Sequence, residues 1–132
     1  MRWVNLKHDG VFMNKAGLLI ATALLLSSCK ESAEQTFTAK YTWGHEVNSV
    51  ALCNGKAAYW VDPSPAGKQV EQLYRQHATQ SYQPMYLTFR GYLVDRAPVG
   101  FEEDYDGIIH ISDVDGYSFD LPASCTDSHH SN

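Results

Sequence analysis

The groups in this chain able to do chemistry are three cysteines, six histidines and fifteen carboxylates spread over 132 residues. A catalytic site needs a nucleophile beside a base, or a positioned acid–base pair. The sequence holds neither G-x-S-x-G nor H-E-x-x-H. His45 beside Glu46, His77 and His110 stand apart from one another and read as structural or surface residues. His129 and His130, with Asp127 close by, are the one pairing that suggests a metal ion. A metal site needs a fixed geometry, and a ragged C-terminal tail offers nothing to fix it. Glu102, Glu103, Asp104 and Asp106, or Asp113 and Asp115 ahead of Gly116, hint at calcium, but EF-hand spacing and its closing glutamate are missing. The expectation is therefore no catalytic residue, no metal site and no cofactor.

The cysteines point elsewhere. Met13 to Cys29, MNKAGLLIATALLLSSC, has a basic Lys15, an apolar run from Ala16 to Leu26, and two serines before Cys29. That is the layout of a secretory signal. The apolar run falls short of the roughly 20 residues needed to span a bilayer. Small residues directly before a cysteine resemble the lipobox of bacterial lipoproteins, in which the cysteine is lipidated and becomes the first mature residue. An ordinary cleavage near Ser28, with Cys29 left as a thiol, is the competing reading. Met1 to Phe12 carries Asp9, which signal n-regions avoid, so translation is expected to begin at Met13. Lys30 follows the cysteine in place of the aspartate that retains lipoproteins at the inner membrane. The expected location is the outer membrane, periplasmic face, anchored by lipid on Cys29.

The whole chain carries a formal charge of −5, and removing residues 1–28, a net +2, leaves −7. Such a chain is a poor partner for nucleic acid, whose binding rests on lysine and arginine against phosphate. About a hundred mature residues suffice for one domain and one core. Cys53 and Cys125 remain, and in an exported protein an even pair reads as a disulfide; a metal site or two free thiols are the alternatives.

The elements follow from pattern. Residues 29–36 form a polar tether, 37–125 the domain and 126–132 a disordered tail. Tyr41 to Cys53 is rich in β-branched and aromatic residues and reads as one long strand, bent or bulged at Gly44. Asn54-Gly55 is a strong hairpin signal, and Lys56 to Asp62 is the returning strand. Ser64 as N-cap and Pro65 at the first position open a helix. Its apolar stripe is Val70, Leu73, Tyr74, His77 and Ala78. Met85 to Asp95 alternates, with Met85, Leu87, Phe89, Gly91 and Leu93 on one face. Gly91 stands where a barrel strand must coil. Ala97 to Asp106 is an acidic loop, Gly107 to Val114 a strand, Asp115-Gly116 a turn and Tyr117 to Leu121 a last short strand. The sum is a mainly β domain, a small five-stranded OB-like barrel with one amphipathic helix, preceded by a lipoprotein signal peptide.

The runs HEVNSVALCNGKAAYWV, EQLY and QPMYLTFRGYL resemble the C-terminal domain of the NlpE (CutF) outer-membrane lipoproteins. The resemblance covers about residues 40–125. It implies an OB-like barrel and a cysteine bridge between the end of the first long strand and the C-terminus, positions that Cys53 and Cys125 occupy. It also implies an envelope lipoprotein whose relatives take part in envelope-stress and surface sensing. Two departures stand out. Those relatives carry an N-terminal domain with a CxxC motif linked to copper, and no CxxC exists here, so that role does not carry over. The helix, in this reading, also sits between the second and third strands, one connection early for a standard OB-fold.

Aromatic residues add a binding flavour. Trp43, Tyr59, Trp60, Tyr86, Tyr92 and Tyr105 exceed what a hundred-residue core needs, and barrels of this type stack ligands on aromatic strands. Trp60 and Tyr86 are the expected contact residues, and the expected partners are the membrane through Cys29 and another envelope protein or a glycan. The leading function is a non-enzymatic binding or sensing module of the envelope. The alternative is a periplasmic metal (copper) handling protein, or a small enzyme, using the scattered histidines and carboxylates.

Overall fold

In a computed structural model, the described residues are 33–126. The stretch read as a signal peptide, Cys29, and the histidine pair of the tail lie outside them. Five strands close into a ring in the order β1-β2-β3-β5-β4, with β4 returning to β1. They are β1 (Gln35–Gly44), β2 (Val47–Leu52), β3 (Ala58–Val61), β4 (Met85–Val94) and β5 (Ile108–Ser118), with α1 (Pro65–His77) between β3 and β4. All neighbours are antiparallel except β3 and β5, which run parallel.

The strand count of five is met by a different partition. Tyr41 to Cys53 is not one bent strand but a hairpin, in which Gly44 pairs with Val47 across the two-residue turn His45-Glu46. Glu46 sits at φ 62°, in the left-handed region that a tight turn demands. Asp115-Gly116 is not a turn. β5 runs through it, with Gly116 opposite Thr88 and Tyr117 opposite Leu87, so the expected last strand Tyr117 to Leu121 is the end of β5. With three strands ahead of it, the helix occupies the position that the OB arrangement requires, and the expected departure disappears. The first strand also starts earlier than expected, at Gln35, inside the stretch read as tether.

The long β4–β5 ribbon closes the ring because it is bulged twice. Register slips between Thr88 and Phe89 and again between Arg90 and Gly91, each time leaving one extra residue (Asp115, then Ser112) on β5. Bulges bend and twist a strand, which is what closure of a small barrel needs. A methyl group on Gly91 would overlap the backbone oxygen of His110 and lie 3.4 Å from Ile111 Cα. The strands approach too closely there for any side chain. Alternation along β4 then fails beyond the bulge: Met85, Leu87, Phe89 and Gly91 are buried, whereas Leu93 is 44% exposed.

The barrel is filled. Tyr41, Val50, Val61, Met85, Leu87, Phe89, Ile109 and Ile111 form its interior, with Phe37 stacked on Phe89 at 5.4 Å. The helix plugs one end. Ser64 caps it as expected, its hydroxyl accepting from the Gly67 amide and donating to the Ile111 carbonyl, each at 2.9 Å. This one side chain ties the helix start to β5. Val70 and Tyr74 carry the burial, Leu73 and Ala78 are half-buried, and His77 at the end of the stripe is exposed. Cys53 and Cys125 are bridged, pinning the segment after β5 to the end of β2.

Candidate ligand cleft

The plugged end carries a concavity lined by residues of β1, α1 and the connection from α1 to β4. Its floor is Tyr74, whose ring meets Tyr41 edge-on at 5.6 Å and Phe119 at 6.0 Å. Burial raises both phenols above their ordinary value, with Glu71 and Tyr74 adding to the rise at Tyr41. The Tyr41 hydroxyl donates to Asn48 at 2.8 Å. The Tyr74 hydroxyl is buried, and the backbone of Trp43 and Gln83 offsets part of the rise there.

Above this floor three elements contribute one wall each. β1 supplies Trp43. The last turn of α1 supplies Arg75, whose guanidinium lies 5.1 Å from the Trp43 ring centre and 3.4 Å from Glu71. The connection from α1 to β4 supplies Tyr82, at φ 58°. The Tyr82 ring lies across Gly44, where a methyl group would fall 2.8 Å from its Cδ1, and its hydroxyl donates to the His45 carbonyl at 3.3 Å. Gly44, read from sequence as a strand kink, is the seat of this ring. The cleft encloses about 570 Å³, within the range of small-molecule and peptide sites.

Trp60 and Tyr86, the expected contact residues, stand elsewhere and apart. Trp60 is half-buried on the outer face of β3, its ring edge-on to Tyr105 at 5.7 Å. Tyr86 is half-buried on β4, opposite Lys40 of β1 and Ser118 of β5. Trp43 was legible as one aromatic among several. Arg75 and Tyr82 carried no signal, because only the meeting of helix end, turn and loop gives them a role.

No family model, curated protein or solved structure matches this chain. Its function must be read from its own geometry.

The scattered titratable groups resolve into local pairs. His45 faces Glu46 at 3.3 Å, His77 lies 6.0 Å from the Tyr117 ring, and His110 stacks on Tyr92 at 4.7 Å with Nδ1 3.4 Å from Asp62. Among the described residues no three histidine, cysteine or carboxylate side chains converge in a way that could hold a metal ion. The acidic loop is tied into the structure. Asp106 accepts from the Ala58 amide at 2.8 Å. Glu102 takes both Arg96 nitrogens, at 2.7 and 2.8 Å, and the Val99 amide at 3.0 Å.

The Arg96 guanidinium and then the Val99 amide hold the Glu102 carboxyl at about 2, below its ordinary value of 4.5. The same bonds raise Arg96. Because the folded value is the lower one, the contribution of Glu102 is complete above pH 4.5 and is lost as pH falls through 2. The Glu102 carboxyl carbon should titrate by NMR with a midpoint near 2, and Arg96→Ala should raise that midpoint toward the ordinary range, the Val99 amide still holding it somewhat below. An ordinary midpoint in the unaltered chain would show that the clamp is not formed.

Proposed function

We propose that this chain is a lipid-tethered envelope protein whose barrel binds a partner at the Trp43–Arg75–Tyr82 cleft, a binding or sensing module of the NlpE C-terminal-domain type. The observation that carries the binding half is the cleft. The barrel interior is occupied by side chains, and the concave surface lies outside it, where two aromatic rings and a guanidinium from three elements converge. Aromatic rings with one convergent charge are what partner recognition favours. The tether half rests on the sequence from Lys15 to Cys29. The resemblance is supported by a ring of five strands with the helix after the third, and by a bridge between the two cysteines it implies.

The tether is tested in cells by fractionation. Replacing Cys29 by serine should move the protein from the outer-membrane fraction to the soluble periplasm. Retention in the membrane fraction would contradict the anchor. The rival metal-handling reading has its own discriminator. Tight, stoichiometric metal binding that disappears when His129 and His130 are both replaced would favour it over the cleft.

A further inference from the structure

The chain enters the barrel at the end of β1 remote from the cleft. β1 joins the ring at Gln35, opposite Gly91, three positions before β4 ends at Val94. The connection from β4 to β5 leaves from that end and returns at Ile108, opposite Val94. From Cys29 to Gln35 is six positions, so a lipid on Cys29 would keep this end within about 20 Å of the bilayer surface, at roughly 3.3 Å per residue. Gly44 at the cleft is nine positions further along β1, or about 30 Å of strand.

The same end exposes apolar side chains. Among the described residues, the exposed large apolar or aromatic side chains are Tyr82 at the cleft, Tyr117 near the end of β5, and Leu93, Val99 and Phe101. The last three belong to the end of β4 and the connection that follows it. Val99 is 64% and Phe101 53% exposed, and both stand on an ordered turn. Residues Gly100–Asp104 form a short 3-10 helix, in which the Glu102 side chain is only 13% exposed because it takes Arg96 and the Val99 amide. A covered carboxylate beside an exposed phenylalanine reverses the usual order of burial. Exposed apolar groups clustered in this way mark a surface that meets a protein or a membrane.

Reach and charge choose between these. The tether holds this end beside one apolar medium, the bilayer, and makes even weak insertion an intramolecular event. Asp95, Glu103, Asp104 and Asp106 on the connection are exposed, and its one cation, Arg96, is already held by Glu102 and Asp62. Such a rim is repelled by anionic headgroups, which attract basic segments, and is tolerated by zwitterionic ones. We infer that this end rests on the zwitterionic lipid surface that holds the Cys29 anchor, with Leu93, Val99 and Phe101 entering the headgroup layer and the cleft held away from it. The inference rests on the tether half of the proposed function and adds the orientation of the barrel.

The test uses the lipidated full chain in phosphatidylcholine vesicles, with a photoreactive phenylalanine analogue at Phe101. Irradiation should add the mass of one phospholipid to the protein, and the same analogue at Tyr82 should add none. Replacing Leu93 and Val99 by serine should lower the yield at Phe101 about tenfold. Both positions are exposed, and circular dichroism confirms that the variant folds. Vesicles rich in phosphatidylglycerol should lower the yield as well. No lipid product at Phe101, equal products at Phe101 and Tyr82, or an envelope protein captured at Phe101 in cells would overturn the inference. If Cys29→Ser releases the protein but Phe101 gives no lipid product, the anchor stands and the orientation is wrong. If Cys29→Ser stays in the membrane fraction, both fall.

Discussion

Replacing Gly91 by alanine should destabilise the barrel by about 3 kcal/mol or more, at the upper end of what forced overpacking costs. The added methyl overlaps the His110 carbonyl oxygen and comes within 3.1 Å of its carbon. These are backbone atoms of the neighbouring strand, not the movable end of a side chain. Relief would require β4 and β5 to separate where register slips between Arg90 and Gly91 and the ring is closed. Gly116 on the same ribbon is the control. Nothing lies within 4 Å of a methyl group there, so Gly116→Ala should change stability by about 0.5 kcal/mol at most. Urea denaturation of the two variants decides the matter through the midpoint at unchanged slope. Equal midpoints would mean that the β4–β5 bulge is not packed as described.

Loss of the Cys53–Cys125 bridge should be the larger effect. The two residues are 72 positions apart, and closing a loop of that length restricts the unfolded chain by about 4 kcal/mol in the chain-entropy treatment. That is a large share of the roughly 5–15 kcal/mol by which a domain is ordinarily stable. The bridge also fixes the segment that follows β5. Among the described residues after Ser118 none pairs with a strand, and Leu121 and Thr126 lie beside Lys40 and Thr42 of β1 with Cys125 tied to the end of β2. In the Cys53→Ala, Cys125→Ala variant the midpoint should fall by an amount equivalent to about 4 kcal/mol. Amide protection should be lost first over residues 119–126. Alkylation before reduction, read by mass spectrometry, gives the direct check: two modified cysteines in the unreduced mature domain would mean that no bridge exists.

The fold class was legible because its parts are strong local signals: the Asn54-Gly55 hairpin, the Ser64-Pro65 helix start, the alternation from Met85 to Phe89 and the glycine at 91. The strand boundaries were not. His45-Glu46 has none of the residues that mark a two-residue turn, and Glu46 adopts its positive φ because the pairing of Gly44 with Val47 imposes it. Asp115-Gly116 has such residues and makes no turn, since pairing with β4 carries the strand straight through. One strand too few and one too many cancelled, and the helix appeared one connection early as a result. The cleft was less legible still. Tyr82 sits in a polar SYQP stretch with no periodicity, and Arg75 looks like any exposed helical cation. Their role comes from the long-range meeting of β1, α1 and the connection to β4, which no window of sequence contains.

The central claim, a partner held at the Trp43–Arg75–Tyr82 cleft, is tested most directly by photo-crosslinking in cells. A photoreactive phenylalanine analogue placed at Tyr82 should capture a discrete envelope protein. The same analogue at Val99, which is 64% exposed and lies on the β4–β5 connection at the opposite end of β4, should capture none. Adding Arg75→Glu to the Tyr82 probe should abolish the product. A crosslink from Val99 and none from Tyr82, or a Tyr82 product indifferent to Arg75, would contradict the account.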